Sequence, residues 1–129
     1  MKMLRASVAL HNGIAVVSLS GQIDRMASAE LDSFLREVHT PHIVVDMAGI
    51  TYLDGSGLAV LCDIADEVAA LGGSLSLARL YGPSAQALRD LDEECPFAVF
   101  GTITRAVKTS ARHRAGQGKA TRPDVAVPA

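Results

Sequence analysis

From Met3 to Leu10 the chain alternates between two faces with a period of two, which is typical of β-strands. The apolar positions of the first segment, which share one face, are Leu4, Ala6, Val8 and Leu10. Asn12-Gly13 follows, and this dipeptide is a strong signal for a two-residue hairpin turn. Residues 14–20 then predict a second strand, so the chain is expected to open with a β-hairpin.

Two longer segments repeat apolar residues at spacings of three and four, which is the period of an amphipathic helix. The first covers residues 26–38, and either Asp24 or Ser28 is placed to cap it. The second runs to Leu71, where Gly72-Gly73 ends it. The positions predicted to form its buried face are Leu58, Leu61, Cys62, Ala65, Val68 and Ala69.

Between these helices lies a strand whose apolar residues point to both faces. Residues 43–47 are apolar except at Asp46, as expected for the middle of a parallel sheet. The segments that follow predict a strand at 75–80, a helix at 84–91, a strand at 97–100 and a helix at 102–109. This order predicts an α/β fold: a mixed, mostly parallel β-sheet with an N-terminal hairpin and about four helices packed against it.

Charge divides the chain into an acidic body and a basic end. The chain has 129 residues, enough for one domain. Residues 1–107 carry 7 Lys/Arg and 13 Asp/Glu, whereas residues 108–129 carry 5 Lys/Arg and 1 Asp. We therefore predict a domain over 1–109 and a disordered basic tail over 110–129. An acidic body disfavours direct nucleic acid binding, because phosphate contacts require clustered Lys and Arg.

Hydropathy and cysteine content indicate the cellular compartment of the protein. Its longest apolar runs are far shorter than the roughly 20 residues that span a bilayer, so no membrane span is expected. Cys62 and Cys95 have no metal-like spacing, and no leader precedes the first strand. These features predict a cytoplasmic protein with reduced thiols.

The segment Asp54-Gly55-Ser56-Gly57-Leu58 carries the candidate chemistry. It joins a strand to a helix, so it places the Ser56 hydroxyl at a helix N-terminus. There the first backbone N–H groups have no intrahelical partner and the helix dipole is positive, which favours an anion such as a phosphate on the serine. A plain capping serine is the alternative interpretation of Ser56, as a capping or Asx-turn role is for Asp54.

The element order and several motifs together resemble the STAS domain of sulphate transporters and anti-sigma factor antagonists. The resemblance covers nearly all of residues 3–109. The segments that carry it are Gly21-Gln22-Ile23-Asp24, Ile43-Val44-Val45-Asp46-Met47, Tyr52-Leu53-Asp54-Gly55-Ser56-Gly57-Leu58 and Gly72-Gly73. Many relatives have Asp-Ser-Ser-Gly where this chain has Asp54-Gly55-Ser56-Gly57, so the first serine of that motif is missing here.

The resemblance implies a function as an anti-sigma factor antagonist. The serine that matches Ser56 is phosphorylated in that family by an anti-sigma factor with serine kinase activity, and the aspartate that matches Asp24 helps to form the partner surface. The unphosphorylated protein binds that kinase and releases a sigma factor; phosphorylation ends the complex, and a serine phosphatase resets it. The expected partner-binding residues are Asp24, Asp54, Gly55, Ser56, Gly57 and Leu58.

Other functions remain as alternatives or fit poorly. A STAS scaffold of a stressosome-like assembly, or a subunit of a membrane transport complex, is the alternative without sigma control. An enzyme is not expected: Gly-x-Ser-x-Gly requires glycine at 54 and 58, and His42 lies at the far end of the strand, about 16 Å from Ser56 at about 3.3 Å per residue. The histidines and cysteines do not cluster, so no metal site is expected. The chain also lacks the phosphate-binding motif Gly-x-x-x-x-Gly-Lys, so no cofactor is expected.

Overall fold

The computed structural model describes residues 4–90 and 97–117. Five strands form one sheet in chain order: β1 (Leu4–His11), β2 (Ile14–Ile23), β3 (His42–Leu53), β4 (Ser74–Ala78) and β5 (Ala98–Phe100). The helices are α1 (Arg25–Arg36), α2 (Gly55–Ala70), α3 (Gly82–Arg89) and α4 (Ile103–Gln117). β1 pairs antiparallel with β2, and all other pairs are parallel. The predicted fold class is therefore confirmed.

The N-terminal hairpin has the predicted two-residue turn. Asn12 and Gly13 both adopt positive φ, 55° and 79°, as a type I′ turn requires. The strand face that carries Leu4 and Ala6 packs against the core, but Val8 and Leu10 on the same face are exposed. The alternating pattern therefore identified the core-facing side of β1 correctly, although the core covers only the N-terminal half of the strand.

β3 is the central strand, as its apolar residues on both faces predicted. Its first part, from His42 to Asp46, pairs with β4, and it continues to Leu53 beside β2, well past the predicted end at Met47. Gly49 weakened the strand signal in the sequence. In the fold this glycine allows β2 to approach closely, because a Cβ there would lie 2.8 Å from the Cβ of Ser20.

Two apolar cores lie on opposite faces of the sheet. The larger core joins the sheet to α1, α2 and α3. The smaller one, under α4, consists of Ile14, Val16, Val44, Ala78, Ala106 and Val107. On α2 the predicted face is correct at Leu58, Leu61 and Ala65, but it omitted the buried Ile64 and included Ala69, which is exposed. Cys62 and Val68 are half-buried on this helix.

The C-terminal end of α2 is fixed by two glycines, as predicted. Gly72 has φ 86°, and its N–H donates to the Ala69 carbonyl at 3.0 Å. The Gly73 N–H donates to the Val68 carbonyl at 2.7 Å. These bonds satisfy carbonyl groups at the helix end, and the chain then turns into β4.

The last helix is longer than the sequence predicted. α4 does not end at Thr109 but continues to Gln117, and Ser110 is buried at 4% exposure. The helix thus continues into the segment predicted as a tail, and its buried residues Ala106, Val107 and Ser110 lie before residue 111. The rest of the predicted tail, residues 118–129, lies outside the described residues.

Candidate functional site

Asp54 caps helix α2 and holds Ser56 in place. Its Oδ1 accepts hydrogen bonds from the N–H of Ser56 at 3.0 Å and from the N–H of Gly57 at 3.3 Å. The Ser56 hydroxyl donates to the same oxygen at 2.5 Å. One carboxylate oxygen thus takes up two backbone donors that would have no partner at a helix start. The capping interpretation of Asp54 is confirmed.

Ser56 itself is partly exposed, as the second residue of the helix. Gly55 before it is exposed, and a Cβ added there would meet nothing within 4 Å. The approach to the serine is therefore open on the Gly55 side, where another protein can reach the hydroxyl.

Asp24 lies beside this cap on the neighbouring strand. Ile23 and Leu53, the last residues of β2 and β3, are paired in register. Asp24 and Asp54 follow directly, so the two aspartates are adjacent at the carboxyl edge of the sheet, where parallel strands are about 4.8 Å apart. Asp24 caps α1 by accepting from the Ala27 N–H at 2.9 Å, and the Asp54 N–H donates to the Ile23 carbonyl at 3.3 Å.

Two of the predicted partner-binding residues belong to the core instead. Leu58 is 4% exposed and packs in the larger core, so its side chain does not contribute to a surface. Gly57 is buried as well, and a Cβ there would lie 2.6 Å from Ile23 Cγ2 and 2.7 Å from Leu53 Cδ1. The absence of a side chain at position 57 lets the helix start pack closely against the strand ends.

Stability should separate the two glycines that flank Ser56. Gly57→Ala is expected to lower the free energy of unfolding by about 1–3 kcal/mol, because the methyl group overlaps two buried side chains. Gly55→Ala should change it by less than about 0.5 kcal/mol, since the site is open. Urea unfolding of both variants measures the difference. Equal effects would contradict the packing role of Gly57.

Two exposed apolar side chains lie close in sequence to the capped loops, and the sequence analysis did not select either of them. Met26, in the first turn of α1, is 83% exposed, and Tyr52, next to the end of β3, is 46% exposed. Both fall outside the buried face of their element, and that mismatch is the signal that could have identified them.

The hydrogen bonds of the cap affect the ionisation of Asp54. Its pKa lies below the usual range, chiefly because the carboxylate accepts the Ser56 hydroxyl hydrogen bond and also the backbone bonds of Gly57 and Ser56. These bonds favour the charged form, so the cap is held as an anion at neutral pH.

Acid should therefore weaken this cap. A carboxyl whose pKa is lower in the folded state stabilises the fold above its unfolded pKa of about 3.9, and this contribution is lost as pH falls through the folded pKa. Asp54→Asn should lower the free energy of unfolding at neutral pH by at most about 1 kcal/mol, because asparagine keeps a capping oxygen and loses only the charge, and the difference from the parent should shrink in strong acid. Urea unfolding at both pH values measures it. Asp63→Asn, on the exposed face of α2, is the control; a gap for Asp54→Asn that is independent of pH would contradict the assignment.

His42 does not lie at this site. His42 is fully buried at the start of β3, where its Nδ1 lies 2.8 Å from Ser74 Oγ, at the opposite end of the strand from Ser56. Within residues 4–90 and 97–117, no three His, Cys, Asp or Glu residues are grouped as a metal site would require. In the same ranges, no helix has the length and apolar character needed to cross a bilayer.

Comparison with known proteins identifies the family. The family model described as "Mlab, STAS domain" matches residues 6–92, which is most of the folded chain. The chain belongs to the STAS domain family.

Relatives of this STAS domain carry names from sigma factor regulation. It is 31% identical over 68 residues to the anti-sigma-F factor antagonist RsfB of Mycobacterium tuberculosis. The match covers 50% of this chain and 56% of that relative, so the STAS domain spans little more than half the length of the relative.

Solved structures show the same fold. An anti-sigma factor antagonist from Mycobacterium paratuberculosis matches with a TM-score of 0.71 and 24% identity, covering 84% of this chain and 94% of that one. SpoIIAA in its unphosphorylated form matches with a TM-score of 0.66 and 15% identity, covering 84% and 97%. The phosphorylated form of SpoIIAA from Bacillus matches with a TM-score of 0.62 and 15% identity, covering 81% and 98%.

Proposed function

We propose that this STAS domain is an anti-sigma factor antagonist that is switched off by phosphorylation of Ser56. Unphosphorylated, it binds an anti-sigma factor with serine kinase activity and thereby releases a sigma factor in the cytoplasm. The kinase then transfers a phosphate to Ser56 and the complex dissociates, until a serine phosphatase removes the phosphate. The names of RsfB and of the SpoIIAA structures support this proposal.

The observation that carries the proposal is the placement of the Ser56 hydroxyl. It is partly exposed, an open glycine precedes it, and it lies at the same edge of the sheet as Asp24. A docked protein can therefore contact Ser56 and both aspartates together.

Phosphorylation acts on a charge arrangement that is already negative. It adds about −1.5 to −2 charge and three acceptor oxygens. The new phosphate would replace the hydroxyl donor that now bonds to Asp54 Oδ1, and it would compete with that carboxylate for the N–H groups of Ser56 and Gly57. The helix N-terminus can stabilise one anion there. The domain therefore stays folded. Its docking surface, however, gains a negative charge, and a partner that is complementary to the neutral serine has no group to pair with it.

Phosphate transfer is the direct test. Incubation with the cognate anti-sigma kinase and ATP should add one phosphate per chain, mapped to Ser56 by peptide mass spectrometry, and Ser56→Ala should receive none. Ser84 and Ser110 are buried at 0% and 4% exposure, so the folded protein offers neither of them to a kinase. Transfer to another residue, or none at all, would refute the proposal and favour the scaffold or transport-subunit alternative.

A further inference from the structure

β1 is a long edge strand with an unpaired side. Among the described residues it pairs with β2 alone, and the two-residue turn makes His11 and Ile14 a hydrogen-bonded pair. Because hydrogen-bonded and non-bonded positions alternate in an antiparallel ladder, every second residue of β1 directs its N–H and C=O groups away from the sheet. These residues are Leu4, Ala6, Val8 and Leu10. They are also the residues whose side chains lie on the face toward α1.

The two ends of this strand have complementary shapes. At its N-terminal end a groove of about 470 Å³ lies between β1 and α1, with Leu4, Ala6 and Phe34 among its lining residues and Glu30 and Glu37 beside them. At its C-terminal end the side chains protrude instead: Val8 is 50% exposed and Leu10 is 68% exposed. Groove and protrusion are thus on the same face of one strand, at opposite ends.

We propose that the occupant of this groove is a second copy of the chain. Two β1 strands pair antiparallel about a twofold axis at Ser7, so that Leu4 faces Leu10 of the second copy and Ala6 faces its Val8. Each Leu10 then enters the groove of the other copy, and the sheet continues through ten strands. A twofold interface requires one patch to be self-complementary, and a groove and a protrusion at opposite ends of one strand meet that requirement.

The two edges of the sheet differ in ways that favour β1. Native proteins protect edge strands by making them short, by charge, by proline or by bulges. β5 has three residues, whereas β1 has eight, no proline and a single Lys or Arg, Arg5. The register irregularities of the sheet lie between β2 and β3, not in the hairpin. In the proposed register Arg5 faces Ala9, so no like charges oppose each other directly across the axis.

The size of the interface sets the expected strength. Eight residues give an edge about 26 Å long, and over a layer about 10 Å thick this is roughly 260 Å² per copy. The two groove contacts add to it, yet the total stays below the about 800 Å² per partner of a standard stable interface. We therefore expect a reversible dimer that forms at about 0.1–1 mM protein.

Sedimentation equilibrium across that concentration range tests the dimer. Leu10→Glu should raise the dissociation constant at least about tenfold, because it removes a buried apolar side chain and brings a negative charge near Glu30 and Glu37. Leu10→Lys should weaken the dimer less than Leu10→Glu, since its charge is opposite to theirs. The matched control is Val99→Glu on β5, where the native side chain is 46% exposed; it should leave association unchanged.

A cysteine on the axis tests the register. Ser7→Cys, with Cys62 and Cys95 changed to alanine, should form an intermolecular disulfide on mild oxidation, because facing Cα atoms of a non-bonded pair are about 4.5 Å apart. Val99→Cys in the same background should cross-link far more slowly. A chain that stays monomeric up to about 1 mM, a dimer indifferent to Leu10→Glu, or faster cross-linking at position 99 than at position 7 would each overturn the proposal.

Discussion

Ser56→Asp should weaken binding to the anti-sigma kinase by roughly two to three decades, whereas Ser56→Ala should stay within about tenfold of the parent protein. The aspartate places a fixed charge where the partner meets a neutral hydroxyl. A charge left buried and unpaired in a complex costs roughly 3–5 kcal/mol, and each 1.4 kcal/mol is tenfold in affinity. Alanine removes only the hydrogen bond to Asp54 Oδ1.

Isothermal titration calorimetry with the cognate kinase measures these affinities. The matched control is Thr104→Asp, because Thr104 is also an exposed hydroxyl residue at the second position of a helix, α4, on the other face of the sheet. It adds the same charge to the chain and should leave the affinity unchanged. If Ser56→Asp and Ser56→Ala bind alike, charge is not the switch; if Thr104→Asp weakens binding as much, the effect is one of net charge.

Gly73→Ala should cause a large loss of stability away from the site. A Cβ at Gly73 would lie 2.0 Å from the carbonyl oxygen of Pro41 and 2.8 Å from its carbonyl carbon. These are backbone atoms, and the same oxygen accepts a hydrogen bond from the Ser74 N–H at 3.0 Å. Relief therefore requires the start of β4 to move away from the start of β3. We expect a loss of about 3 kcal/mol, at the upper end of overpacking effects.

Thermal unfolding measures this loss, with a decrease of roughly 10–20 °C in the midpoint for a domain of this size. Gly101→Ala is the control, because Gly101 is exposed, has no positive φ and has no atom within 4 Å of its Cβ position. Its midpoint should change by at most a few degrees. A small effect at Gly73 would mean that the β3 and β4 ends separate easily.

Local signals were sufficient to predict most of the fold. The Asn12-Gly13 turn, the apolar segment at 43–47 and the glycines after α2 each specify one local structure, and all three were correct. The helix N-caps could be predicted as well, because Asp24 and Asp54 precede segments with a clear helical period.

Tertiary contacts decided what the sequence pattern missed. β3 continues past Gly49 because its pairing with β2 outweighs the weak strand preference of glycine. Leu58 was expected on the partner surface because it follows Ser56 in the motif, but the helix turns its side chain into the core. α4 extends beyond Thr109 because the open face of the sheet stabilises a helix that has little propensity pattern of its own.

The bond from the Asp54 N–H to the Ile23 carbonyl fastens the two capped loops to each other. Neither loop can move independently without breaking this hydrogen bond, so the backbone around Ser56 is held rigid. A change of binding specificity at this face should therefore come from exchanging exposed side chains such as Met26, with the backbone beneath them unchanged.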